Sequence, residues 1–181
     1  DISKKEKLYK DMIFLEKNFN GVMPLEITVN TRKRNGILRL STLRKIDRLQ
    51  DTLALYNEFS KPLSVVEVVK SAKQAFYRGR EKMYSLPNNQ EKNFILSYVP
   101  DMGGKKGILN AFVDSNFQTT RISVQMANIG TNDIERILTD IQPKIDSIFP
   151  PKKYDVSLTG TSVVFLKGTN YLVKNLFMSL M

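Results

Sequence analysis

Two side chains that do most enzymatic proton and nucleophile chemistry are missing from this 181-residue sequence, which has no histidine and no cysteine. A Ser-His-Asp or Cys-His nucleophile therefore cannot be built, and the commonest zinc ligands are absent. Two motifs invite a catalytic reading. Asp133 and Glu135 stand close together, but they fall at an expected helix start, where acidic side chains complement the macrodipole. Gly103-Gly104-Lys105-Lys106-Gly107 is glycine-rich and basic, but it lacks the Gly-x-x-x-x-Gly-Lys-Ser/Thr spacing that cradles phosphate, and a strand is expected after it. No catalytic residue, cofactor site or metal site is assigned, and the chain reads as a non-enzyme.

The residues that suggest binding are of another kind. Phe76, Tyr77, Met83, Tyr84, Phe94, Tyr98 and Met102 crowd into residues 61–106, near turns at Gly79, Pro87, Pro100, Gly103 and Gly104. Aromatic and methionine side chains give adaptable apolar surface, suited to holding and releasing greasy molecules. Arg78, Arg80 and Lys82 could meet an anionic head group. The competing reading is that these residues pack a helical layer. The formal net charge of +10 lies almost wholly in residues 1–106. It is densest at Lys4, Lys5, Lys7, Lys10 and at Arg32, Lys33, Arg34, Arg39. Such clusters suit anionic lipid or nucleic acid, or are simply solvated faces.

The elements that must position these residues follow from periodicity. Residues 3–18 read as a basic amphipathic helix. Leu25, Ile27 and Val29 alternate with Glu26, Thr28 and Asn30 as a half-buried strand. A helix follows, with Ser41 as its expected cap, carrying Leu43, Ile46, Leu49 and Leu53. Ser64 and Glu67 form a capping box for a helix to about Tyr77, and a short helix is expected over 89–98. Residues 107–115 and 118–127 read as two strands of a hairpin. A helix capped at Thr131 or Asn132 carries five isoleucines, and Pro143 should kink or split it. Tyr154, Val156 and Leu158 mark a last strand, and Gly160 marks the step into a C-terminal helix. The fold class this predicts is α+β. The order is the ferredoxin-like split βαβ, β-α-β-β-α-β, with a helical insertion at 61–106 and terminal helices at both ends. The 1–181 chain is expected to form one domain.

An antiparallel sheet with helices on one face leaves a second, polar face. Its expected residues include Glu26, Arg121, Gln125 and Asp155, with Thr28, Asn30, Ser123, Ser157 and Thr159 between them. An RNA-binding domain of this topology stacks bases on aromatics at such positions. None is aromatic and two are acidic, so nucleic acid is not the expected partner. Toward the C-terminus, apolar density rises through Val163-Val164-Phe165-Leu166, Tyr171-Leu172-Val173 and Leu176-Phe177-Met178. Lys167, Gly168 and Lys174 interrupt it, so no run reaches the roughly 18 uninterrupted apolar residues of a spanning helix. The rise nonetheless predicts that residues 161–181 lead into a membrane span outside this sequence.

Two stretches carry a family resemblance: Phe19-Asn20-Gly21-Val22-Met23-Pro24-Leu25-Glu26-Ile27, and Leu158-Thr159-Gly160-Thr161-Ser162-Val163-Val164 followed by Leu172-Val173-Lys174-Asn175-Leu176-Phe177. The chain resembles an extracytoplasmic loop domain of the resistance–nodulation–division (RND) transporters, in the branch of hydrophobe exporters related to mycobacterial large membrane proteins and Patched-like proteins. It looks more like the loop of the second half of such a transporter. The resemblance implies a porter domain at the periplasmic face of a bacterial inner membrane, in a proton-driven exporter of lipids or other hydrophobic compounds. It implies as partners the other porter domain and the transmembrane helices of the same polypeptide and a lipid-like substrate, and it leaves open whether the parent is a monomer or a homo-oligomer. In this reading Phe76, Tyr77, Met83, Tyr84, Phe94, Tyr98 and Met102 are candidate substrate contacts, and Glu26, Arg121, Gln125 and Asp155 a candidate domain interface. A free periplasmic lipid- or protein-binding module is the alternative.

Overall fold

Alternating side chains build the sheet and fix its register. The computed structural model describes residues 23–101 and 108–180, together with Lys7, Asp11, Ile13, Phe14, Asn18 and Gly21. Strand β1 (Met23–Asn30) is central, and β2 (Thr119–Met126) and β3 (Asp155–Thr159) pair antiparallel on its two sides. β2 and β3 consequently point the same way. Leu25 lies opposite Val124, and Ile27 lies opposite both Ile122 and Leu158, so one face is apolar but for the buried Thr120 opposite Val29. A one-residue slip would turn that set toward solvent, which is why the register is fixed.

Helix α1 (Leu40–Leu53) contributes Leu43, Ile46 and Leu49 to the core, and α4 (Thr131–Ile148) contributes Ile134, Ile137, Ile141, Ile145 and Ile148. Between α1 and β2 come α2 (Val65–Phe76), a 3-10 turn at Glu81–Met83, and α3 (Lys92–Asp101). Helix α5 (Thr161–Leu180) follows β3. The fold is α+β, as expected, with a three-stranded antiparallel sheet among the described residues.

Several expectations need correction. The strand expected over 107–115 is absent from the described part of that stretch: Ile108–Ala111 is a 3-10 turn, and Val113 makes only an isolated bridge to Thr120. The outer edge of β2 is instead divided between two irregular segments. Ser123 exchanges backbone hydrogen bonds with Leu63 (2.9 Å each way), the Ser60 N–H donates to the Gln125 carbonyl (2.8 Å), and the Ala127 N–H donates to Glu58 (2.8 Å). Along the other half, the Arg121 N–H donates to Phe112 (2.9 Å) and the Asp114 N–H to Thr119 (3.1 Å). Backbone groups of a buried edge need partners, and here two short segments supply them without forming a fourth strand. Pro143 does not split α4. It lies on the exposed side, where the carbonyl it leaves unpaired can reach water, while the isoleucines hold the helix across the break. The caps are Arg39 for α1 and Gly130 for α4, neither with a side-chain bond, in place of Ser41 and Thr131 or Asn132. Ser64 does cap α2, accepting from the Val66 N–H (3.1 Å). Helix α3 runs on through Pro100 to Asp101.

The junction from β3 to α5 requires glycine. Gly160 has φ +101°, and a Cβ there would lie 2.4 Å from the Pro24 carbonyl oxygen. Ser162, fully buried, donates toward the Met23 and Pro24 carbonyls (3.2 and 3.1 Å). With Val163 and Leu166 it seats the first turns of α5 on the start of β1. Of the expected N-terminal helix, Lys7, Asp11, Ile13, Phe14 and Asn18 are helical, and the remainder of residues 1–20 lies outside the described residues.

Candidate functional site

The polar sheet face forms a ladder across all three strands. Glu26 faces Ser123 and Thr159, Thr28 faces Arg121 and Ser157, and Asn30 faces Asp155. The Ser123 hydroxyl donates to Glu26 Oε1 (2.8 Å), while Glu26 Oε2 is buried with no hydrogen-bond partner among the described residues. The Thr28 and Ser157 hydroxyls lie 2.6 Å apart. Arg121 Nε donates to the Ala111 carbonyl, so this guanidinium pins the 3-10 turn to the sheet. Gln125 is half-buried and Asp155 exposed, and neither side chain is engaged within the described residues. The four candidate interface residues thus share one face. Glu26 and Arg121 are tied into the fold, whereas Gln125 and Asp155 are available to a neighbour.

The aromatic set of the insertion divides. Tyr84 and Tyr77 act through their hydroxyls. Tyr84 donates to Glu67 Oε2, and Glu67 also lies 3.7 Å from Lys70, which pairs with Asp47 at 2.7 Å. Burial, and then the hydrogen bond to Glu67, push the Tyr84 phenol up to about 12. Tyr77 donates to Glu91 (2.9 Å), whose other oxygen meets Lys73 at 3.0 Å and the Asn88 N–H at 3.0 Å. The Asn88 N–H and then Lys73 hold the Glu91 carboxyl below the usual carboxylate range, and its hydrogen bond in turn raises Tyr77. These two clusters strap the chain between α2 and α3 onto α2. Phe76 sits edge-on to Tyr77, with ring centroids 5.3 Å apart, and is half-exposed. Met83 is half-buried, and Phe94 on α3 is 66% exposed. Tyr98 lies on α3 but its side chain, like Met102 altogether, falls outside the described residues. The structure therefore brings Phe76 and Tyr77 together and gives both tyrosines anchoring contacts.

One feature escaped the sequence reading. A groove of about 740 Å³ runs between α4, β3 and α5, lined by Leu138, Pro143, Leu158, Val163 and Leu166 with Glu135 and Lys167 at its margin. The signal for it was present in Leu138, which borders the isoleucine stripe of α4 and is only partly buried. The apolar density that rises toward the C-terminus in the sequence lies on the surface of α5. Beyond Leu166, Tyr171, Leu172, Val173, Leu176, Phe177 and Met178 are all exposed. No helix of the described residues is long and apolar enough to cross a membrane, and none of their carboxylates form a group suited to a metal ion.

Compared with known proteins, the sequence matches no family model and no curated protein.

Proposed function

We propose that this chain is the extracytoplasmic porter domain of a proton-driven RND-superfamily exporter of lipids or other hydrophobic compounds, at the periplasmic face of a bacterial inner membrane. The observation that carries this reading is α5. Its base is fastened to β1 through Gly160, Ser162, Val163 and Leu166, and its remainder exposes Tyr171, Leu172, Val173, Leu176, Phe177 and Met178, with Lys174 and Asn175 between them. Burying a large aliphatic or aromatic side chain is worth about 1.5–3 kcal/mol, so a helix left in this state calls for a partner, and lipid or a neighbouring apolar helix supplies it. The topology adds support. β2, α4 and β3 make a βαβ crossover split by β1, which is half of the ferredoxin-like unit. The other half keeps its helix, α1, but the place of its edge strand is taken by residues 58–63 and 112–114. In this reading the polar sheet face meets the second porter domain, α5 continues toward the membrane, and the ionisable groups that couple protons lie in the membrane part of the parent.

The test is transport. In proteoliposomes holding the full-length parent, an imposed proton gradient should drive movement of a fluorescent phospholipid analogue, and a protonophore should abolish it. Asp155→Lys should reduce that movement while the isolated domain's stability stays within about 0.5 kcal/mol, because the side chain is exposed and unengaged. Lipid movement indifferent to the gradient would contradict the exporter reading. Full transport by both Asp155→Lys and Gln125→Lys would remove the interface.

A further inference from the structure

Five cations and no carboxylate surround one cavity. It measures about 370 Å³, with Arg32, Lys33 and Arg39 on one wall and Lys152 and Lys153 on the other. The sequence shows only the first group as a cluster. The second joins it because Asn30 pairs with Asp155, which sets the turn leaving β1 beside the turn entering β3. None of the five makes an ion pair among the described residues. Like charges held together without compensation repel, and a fold retains them at a cost unless an anion joins them.

The wall is fixed in shape. The Thr31 hydroxyl lies 2.9 Å from the Gln118 carbonyl and 3.0 Å from that of Lys33, and the Arg32 N–H donates to Asn30 Oδ1 (2.7 Å). Arg32 itself takes a left-handed backbone, φ 56°. Gly36 closes the turn so tightly that a Cβ would lie 2.1 Å from Thr31 Oγ1. Beside the cavity, Lys45 donates to the Ile148 carbonyl (2.6 Å) and sits 4.9 Å from the ring centroid of Tyr154, a lining residue. Burial, and then the charges of Lys153 and Arg48, lower its pKa.

Polar groups of the right kind complete the lining. Helix α1 starts at the cavity with no side-chain cap at Arg39, leaving the positive end of its dipole there. Thr42, in the first turn, is only 3% exposed and lines the cavity, and its hydroxyl has no hydrogen-bond partner among the described residues. Its oxygen is not among the buried unpaired atoms, so it keeps contact with solvent in the cavity and is free to donate to an acceptor there.

We propose that this cavity binds a phosphate group carried by a small ligand, either a lipid head group or a soluble organic phosphate. Several cations, a hydroxyl donor and a helix N-terminus suit a tetrahedral anion with three or four acceptor oxygens better than a carboxylate with two. The site uses residues distinct from the polar sheet face and the exposed part of α5, and stands whether or not the parent is an exporter.

The test is titration of the chain with glycerol phosphate by calorimetry at about 0.15 M salt, where weak surface attraction is screened. Saturable one-site binding is expected. Lys152→Gln with Lys153→Gln should weaken it about tenfold, as the loss of charge-assisted hydrogen bonds does. Lys61→Gln with Arg136→Gln removes the same charge from exposed positions elsewhere and should leave binding unchanged. Thr42→Val should weaken binding at constant net charge. Flotation with phosphatidylglycerol vesicles, weakened by the same variants, assigns the phosphate to a lipid head group. Vesicle binding insensitive to them, with glycerol phosphate still bound, assigns it to a soluble ligand. Equal losses from both double variants would mean diffuse attraction and would overturn the site. So would no binding of either probe, or a single-stranded oligonucleotide that binds more tightly than glycerol phosphate and loses affinity in the Lys152 and Lys153 variant.

Discussion

Helices α4 and α5 are similar in length and both rich in apolar residues, yet they have opposite fates. In α4 the isoleucines recur every three or four residues, and all five are buried, with charged and polar residues on the remaining surface. In α5 the apolar residues spread wider than a stripe: Leu172, Val173, Leu176 and Phe177 recur at helical spacing, while Tyr171 and Met178 fall on the opposite side. Val163 and Leu166 are buried, while Val164, Phe165 and almost everything apolar from Tyr171 to Met178 is exposed, with Leu172 at 69%. Spacing, not composition, decides which helix a water-facing domain can satisfy. A helix that exposes this much apolar surface is satisfied only when something apolar covers it, and one domain's core covers only the first turns of α5.

The sharpest way to break this comparison is to shorten one apolar side chain on each helix. Ile145→Ala in α4 should cost about 2–5 kcal/mol, because it empties a filled site in the core. Leu176→Ala in α5 should change the stability of the isolated chain by no more than about 0.5 kcal/mol. Urea unfolding of both variants measures the difference. Equal costs would mean that the far end of α5 packs in the isolated chain.

A smaller effect is expected in the insertion, where polar contacts of Tyr77, Tyr84 and Glu91 pin the chain that follows α2. Tyr84→Phe should cost about 0.5–1.5 kcal/mol, the net worth of one hydrogen bond, and less if water screens it. The phenol is raised from 10.0 to about 12, so the folded state favours its neutral form. The contribution should be complete below pH 10.0 and disappear as pH rises toward about 12. Stability measured across that range should fall in the wild type with a component that Tyr84→Phe lacks. Superimposable profiles would remove the Glu67 contact.

Most elements could be read from the sequence because their periodicity is local. Leu25, Ile27 and Val29 announce β1, and the isoleucines announce α4. The hairpin over 107–118 failed for a non-local reason. Ile108, Leu109, Ala111, Phe112 and Val113 are apolar enough for a strand, but residues 58–63 occupy half of the edge they would need. No window around residue 110 contains that fact. A weak signal was present, since this run does not alternate. The roles of Tyr77 and Tyr84 were hidden likewise, because Glu91 and Glu67 are 14 and 17 residues away. Lys152 and Lys153 joined Arg32, Lys33 and Arg39 only through strand pairing across the sheet. The candidate interface fared better, because alternation fixes which residues share a face.

The central claim, that α5 leaves the domain for an apolar surround, is tested most directly by one reporter placed on both helices. The chain has no cysteine, and an exposed serine is available near the end of each: Ser147 on α4 and Ser179 on α5. Ser147→Cys and Ser179→Cys, made singly in the full-length parent in right-side-out membrane vesicles, would be treated with a membrane-impermeant maleimide. The account predicts rapid labelling at Ser147→Cys and protection at Ser179→Cys, with both reacting in the isolated chain. Equal labelling of the two positions in the vesicles would contradict it.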